Sequence, residues 1–206
     1  MKVKNNIDDF FEESKKVLDL VERKKIIEAV NLIHKTRKKG GKIFLVGNGG
    51  SASTASHFAA DLSKWATGEG NVPTKTICLN ENMPAFSALV NDNGWDNVYT
   101  EQLKNFCEKG DLIIGFSVHG GHGAEKAGEW SQNLTKAIDF VHKKGGSSLG
   151  FTGFDGGAME KICTVNINLL IESTPQVEGL HCLLTHLIAE ELRKIAVGVK
   201  INKLRK

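Results

Sequence analysis

The stretch Lys42–Asp61, KIFLVGNGGSASTASHFAAD, decides how the rest of the chain is read. Lys42–Val46 is a short apolar run with no polar face, which is the pattern of a strand buried on both sides of a parallel sheet. It runs straight into Gly47-Asn48-Gly49-Gly50-Ser51, and a helical pattern, Ala52–Trp65, starts at once. The glycines let the backbone turn tightly. Ser51 is placed to cap the helix, whose positive end attracts an anion such as phosphate. The string GNGGSA is not the dinucleotide fingerprint GxGxxG, and it lacks the GK[ST] of a Walker loop. A capped turn without chemical use fits the same local pattern.

Working outward, short apolar runs recur at Thr74–Leu79, Leu112–Phe116, Ser148–Phe151 and Val165–Ile171. Helical patterns separate them at Met83–Val90, Asn97–Glu108, Ser131–Lys144 and Gly179–Val197. Five such strands alternating with helices predict an α/β fold, a doubly wound five-stranded parallel sheet whose ligand site lies at the carboxyl ends of the strands. Ile7–Lys38 has amphipathic helical spacing, with a break expected near Arg23–Lys25 and a stop at Gly40–Gly41. The expected organisation is an N-terminal helical extension over residues 1–40, followed by a ligand-binding domain over 41–206 that forms one structural unit with it.

Composition narrows the function. The 206 residues are 40% hydrophobic and 25% charged, so a sizeable core can form and a disordered chain is excluded. No run reaches the ~18 apolar residues of a membrane span, and the charged opening MKVKNNIDDFFEE does not read as a signal peptide. A cytoplasmic protein is expected. Lys+Arg 27 against Asp+Glu 24 is too balanced to argue for nucleic acid or an anionic membrane as partner. Cys78, Cys107, Cys163 and Cys182 form no CxxC pair and read as reduced, mostly buried thiols. The 22 glycines fall in tight clusters, as in loops where the backbone approaches a ligand.

Candidate site residues follow the strands. His57 and Asp61 are four apart on one helix face, a spacing for two metal ligands or for a base beside its partner. A surface hydrogen-bonded pair has the same spacing. Asn91-Asp92-Asn93-Gly94 reads as a helix-ending turn that can face the same cleft. The third strand ends in Ser117-Val118-His119-Gly120-Gly121-His122-Gly123, a loop rich in hydroxyl and imidazole donors. The last helix brings Glu178 and His186, which are about 12 Å apart if both are helical. They reach one centre only if Glu178 precedes the helix proper, a bend that Gly179 allows.

Taken in order, LVGNGGSASTASHFAADL, LVNDNGWDNVYTEQL, KGDLIIGFS, GFTGFDGGAM and VEGLHCLLTHLIAEEL resemble the phosphoheptose isomerase branch of the sugar isomerase (SIS) superfamily over roughly residues 10–195. The resemblance implies a flavodoxin-like SIS fold, a homotetramer with active sites built between subunits, and interconversion of sedoheptulose 7-phosphate and a heptose 7-phosphate. It further implies a zinc ion, carried over to His57, Asp61, Glu178 and His186. Sugar-phosphate contacts carry over to Asn48, Gly49, Gly50, Ser51, Asn91, Asp92 and Ser117, with His119 and Ser131 as further donors to the anion.

Three positions depart from the family pattern. Asp61 stands where the family has a glutamate, and Glu178 where it has a glutamine. The serine-rich phosphate loop becomes Ser117-Val118-His119 with an insertion of about nine residues, bringing His122, Lys126 and Trp130. The expected chemistry is aldose–ketose isomerisation, with Asp61 or Glu178 as base and His186 as acid, and with His57 helping to hold the metal. The departures leave two rivals: a sugar-phosphate sensor or adaptor without chemistry, and an isomerase for a different sugar derivative stacked on Trp130.

Overall fold

The computed structural model of the protein describes residues 2–68, 71–121 and 131–198. Two helices, α1 (Lys2–Leu20) and α2 (Arg23–Lys38), lead into β1 (Lys42–Gly47) and α3 (Gly50–Ala60). α3 continues directly into a π-helical turn, Asp61–Trp65. Then come β2 (Lys75–Cys78), α4 (Met83–Asn93), a 3-10 turn (Trp95–Asn97) and α5 (Val98–Phe106). The described residues continue with β3 (Leu112–Ser117), α6 (Gln132–Lys143), β4 (Ser147–Gly153), α7 (Gly157–Ile162), β5 (Val165–Leu169) and α8 (Thr174–Val197).

The sheet has the order β2-β1-β3-β4-β5, and every pair is parallel. β1 and β3 are adjacent, with Leu45 opposite Ile114, and strand order reverses beside them. That is the switch point where a crevice opens past the strand ends. Alternation along the strands explains the two covered faces. Ile43 and Leu45 join one core with residues of α2, α3 and α8, while Phe44 and Val46 join a second core with α5 and α6. Ile26, Ala29, Val30 and Ile33 of α2 belong to the first of these cores, so the helical extension packs on the sheet.

Several expected boundaries move. α8 begins at Thr174, five residues before Gly179, with Ser173 at its N-cap and Pro175 in its first turn, where proline's missing N–H costs nothing. Ser51 is the second residue of α3; the cap position belongs to Gly49, at φ 58, where a side chain would be strained. Asn91 and Asp92 lie in the last turn of α4, which ends at Gly94, φ 81. The short α7 was not anticipated. The four cysteines are free, two of them buried, and burial pushes the Cys78 thiol up to about 11. Among the described residues, no helix is long and apolar enough to cross a membrane.

Candidate functional site

A cavity of about 200 Å³ opens at the switch point, lined by Asn48, Ser51, Ser117, His119, Ser131 and Glu178 among others. β1 delivers Asn48, α3 begins at its rim, and β3 delivers Ser117. Gly49 and Gly50 are exposed there. Hydroxyls, an amide and an imidazole around the positive end of α3 suit an anion carried on a polyol.

A polar network that sequence reading missed holds this cradle. Asn48 Nδ2 donates to Ser131 Oγ (3.1 Å) and Asn133 Oδ1 (3.0 Å), and Asn133 Nδ2 returns to Asn48 Oδ1 (3.1 Å). The Tyr99 hydroxyl donates to the Gly47 carbonyl (2.5 Å) and lies 3.0 Å from Asn48 Oδ1. Asn80 accepts from the Gly47 N–H and donates to the Gly47 carbonyl and to Tyr99. Burial raises the Tyr99 phenol well above its usual range, so it stays a donor. The only available signals were Asn80 directly after a strand and a lone tyrosine on an apolar helix face.

Opposite, the Ser117 hydroxyl accepts from the Gly121 N–H at 3.3 Å. The His119 ring lies 4.3 Å from that of Phe154, measured between centroids. Phe154 (φ 52) and Ser131 (φ 63) are the non-glycine residues with left-handed backbone among those described. For a bulky phenylalanine this is strained, and such strain collects at functional sites. His122, Lys126 and Trp130 lie outside the described residues.

The second feature is a group of three side chains that can ligate a metal, His57, Asp61 and His186. Asp61 Oδ2 lies 3.0 Å from His186 Nδ1 and 3.6 Å from His57 Nε2. The two imidazoles meet edge to face at 4.8 Å, and all three donor atoms lie within 4.8 Å of one another. Asp61 Oδ2 is buried yet has no hydrogen-bond partner. An oxygen and two ring nitrogens that approach closely without hydrogen-bond geometry suit a shared cation, and a two-histidine, one-carboxylate set suits zinc or a similar ion.

The structure does not bring Glu178 to this group. It sits on the continuous helix α8, eight residues before His186, and its carboxylate lies against Gly50 at the mouth of the cradle. Nor does it bring Asn91 and Asp92 to the cavity; both are exposed and hydrogen-bonded to each other at 2.8 Å. A separate shallow recess of about 450 Å³ is lined by Ala52, Ser53, Ser56 and His57 of α3 and by Asn80 and Glu81 after β2. On α8, His181 is fully buried against Phe116 and Phe151, and its Nε2–H donates to the Thr152 carbonyl at 3.1 Å. Desolvation pushes that imidazole down to about 4, so it is neutral and anchors α8.

The SIS domain family model matches residues 9–125. A phosphoheptose isomerase of Aliarcobacter butzleri is 35% identical over 164 residues, 79% of this chain and 81% of the relative. One of Thermodesulfovibrio yellowstonii is 31% identical over 207 residues, 98% of each chain. The lincomycin biosynthesis protein LmbN of Streptomyces lincolnensis is 43% identical over 159 residues, 75% of this chain but 57% of that longer protein. The phosphoheptose isomerase structure from Neisseria gonorrhoeae shares the fold with a TM-score of 0.79 at 24% identity, covering 93% of this chain and 96% of that one. The one from Francisella tularensis gives 0.81 at 18% identity, covering 94% and 97%. The chain belongs to the SIS-domain family, in its phosphoheptose isomerase branch.

Proposed function

We propose that the chain is a sugar-phosphate isomerase that converts sedoheptulose 7-phosphate to a heptose 7-phosphate through an enediol. The observation that carries this reading is that one helix supports both halves of the chemistry. The anion cradle sits at the start of α3, and His57 and Asp61 lie six and ten residues beyond Ser51, roughly 9 and 15 Å along the axis. A seven-carbon chain has six C–C bonds of about 1.5 Å and spans roughly 8 Å when extended. With its phosphate at Asn48, Gly49, Gly50, Ser51, Ser117, His119 and Ser131, the carbonyl end reaches the neighbourhood of His57, Asp61 and His186.

In that placement the base role falls to Asp61, because Glu178 stands at the phosphate end. Asp61 Oδ2 faces the two imidazoles, which leaves Oδ1 to take the proton alpha to the carbonyl. His186 serves as the acid that protonates the developing oxyanion on one oxygen and then takes the proton from the other enediol hydroxyl as the new carbonyl forms. The Asp61 carboxylic acid meanwhile returns its proton to the neighbouring carbon. His57, Asp61 and His186 would hold one zinc ion per subunit, which when bound polarises the carbonyl and lowers the cost of the oxyanion. Glu178 is assigned to sugar hydroxyls at the cradle mouth.

The working form is a cytoplasmic homotetramer with shared sites. α4 has no fully buried residue: Phe86, Leu89 and Val90 pack only partly against the second core, Met83 is 59% exposed, and Trp95 just beyond the helix is 43% exposed. An apolar helix this incompletely covered fits a subunit contact. Such a contact would carry Asn91 and Asp92 to a neighbouring subunit's substrate.

A second reading keeps the chemistry but changes the sugar. It is favoured by His119 and Glu178 in the cavity wall and by the likeness to LmbN, a protein of lincomycin biosynthesis. Proton NMR of sedoheptulose 7-phosphate in D₂O with zinc-supplemented protein tests the proposal. Deuterium entering the sugar, and stopping with EDTA, is the expected result. No exchange with this sugar removes the heptose assignment and leaves another sugar derivative or a binding role.

A further inference from the structure

The metal group bridges two helices that nothing covalent holds in register. His57 and Asp61 stand on α3 and its π turn, and His186 stands on α8. Beyond the group, each helix carries its stripe onward on the same face. The first continues four residues past Asp61 to Trp65; the second continues four and seven residues past His186 to Glu190 and Arg193. These outer residues meet. The Trp65 indole N–H donates to Glu190 Oε2 (3.2 Å), the Arg193 guanidinium lies 4.1 Å from the centroid of the Trp65 ring, and Arg193 Nη1 donates to the Trp65 backbone carbonyl (2.9 Å).

The π turn gives this contact a backbone partner. It closes with an Ala66 N–H to Asp61 carbonyl bond of 2.8 Å, one residue wider than an α-turn, and leaves the carbonyls behind it without α-helical partners. Side chains take them up. Thr67 donates to Leu62 and Ser63 (3.1 and 3.2 Å), buried Arg37 donates to Ala66 (3.0 Å), and Arg193 donates to Trp65. Two arginines at the negative end of a helical segment are well placed electrostatically. Of these ties, only the one through Trp65 links the π turn to α8, the helix that carries His186.

We infer that Trp65, Glu190 and Arg193 form a clamp that sets the register between the π turn and α8, and thereby positions Asp61 Oδ2 against His186 for metal binding. They are positioning residues: none offers a ligand atom to the group. The inference rests on the metal reading proposed above and deepens it. A clamp of purely structural value would leave metal affinity unchanged, whereas outer groups that orient ligands change it about 10- to 100-fold.

The test uses the full chain, stripped of metal and titrated with Co²⁺. Visible absorption reads the coordination, chelator competition reads the affinity, and thermal melting serves as a control. The wild type takes up one Co²⁺ per chain. Arg193→Ala weakens Co²⁺ about tenfold or more and changes the visible spectrum. Trp65→Phe, which keeps an aromatic ring and removes the N–H donated to Glu190, weakens it several-fold. Where Arg193→Ala does not fold, Trp65→Phe decides. Wild-type affinity and spectrum in the folded variants overturn the clamp while leaving the metal site standing. A wild type that takes up no Co²⁺ overturns the metal site itself, and the clamp with it.

Discussion

The Glu178 carboxylate lies so close to Gly50 that a methyl group on Gly50 would displace it. An anion thus sits at the positive end of α3, where a substrate phosphate would also go. The two negative charges compete for one helix terminus, whose attraction is worth about 0.3–1 kcal/mol per charge. Glu178→Gln removes the competitor while keeping the shape of the side chain. Affinity for inorganic phosphate, measured by calorimetry, should rise roughly two- to fivefold. The variant should still turn over sugar phosphate. A complete loss of turnover with unchanged phosphate affinity would move the base role from Asp61 to Glu178.

Asp61 has one oxygen buried between two imidazoles and no hydrogen bond to that oxygen. Asp61→Asn keeps the size but removes the charge and the basic oxygen. Turnover should fall by at least about 10²-fold, the lower end of what a general base contributes. Binding of the sugar phosphate should change little, because the cradle lies two to three turns away at the start of α3. Steady-state kinetics with a separate binding titration checks this: a KM effect with kcat preserved would place Asp61 in binding instead.

The layers of this fold were legible because both of its periodicities are clean. Ile43 and Leu45 alternate with Phe44 and Val46 between two cores, and the glycine turn after Val46 marks the ligand side of the sheet. The ligand group was legible in part. His57 and Asp61 share a helix face at a fixed spacing, so their nearness follows from local geometry. Glu178 entered the set through the resemblance; what the structure corrects is the expected helix start at Gly179, because α8 begins at Thr174, where Ser173-Thr174-Pro175 carried the start signal. Asn48, Tyr99, Asn80 and Asn133 come from four separate segments. Their meeting depends on the packing of β1, β2, α5 and α6, which no local pattern encodes.

That network gives a third expectation. The Tyr99 hydroxyl is buried and ties the Gly47 carbonyl to Asn48. Tyr99→Phe keeps the ring and removes the hydroxyl, leaving Asn80 as the remaining side-chain donor to Gly47. A lost buried hydrogen bond of this kind costs about 1–2 kcal/mol of stability. Urea denaturation should show that loss. Kinetics should show a several-fold higher KM with kcat nearly unchanged, because Asn48 loses one of its restraints while Asp61 is untouched. An unchanged KM would confine Tyr99 to the core.

His181 makes stability depend on pH in a defined window. Its imidazole is fully buried, donates to the Thr152 carbonyl, and has its pKa pushed from 6.5 down to about 4. Between those two values the unfolded chain binds a proton that the folded chain refuses. Stability from this residue is therefore complete above pH 6.5 and drains away as pH falls toward 4. The shift corresponds to roughly 3 kcal/mol at most. His181→Gln keeps a donor that can face Thr152 and does not titrate. Urea titrations at pH 7.5, 6, 5 and 4 should show the wild type losing more stability on acidification than the variant, with the difference confined to this window. Parallel curves would mean that protonation of His181 is accommodated in the folded protein, and that the anchor of α8 lies in its apolar contacts alone.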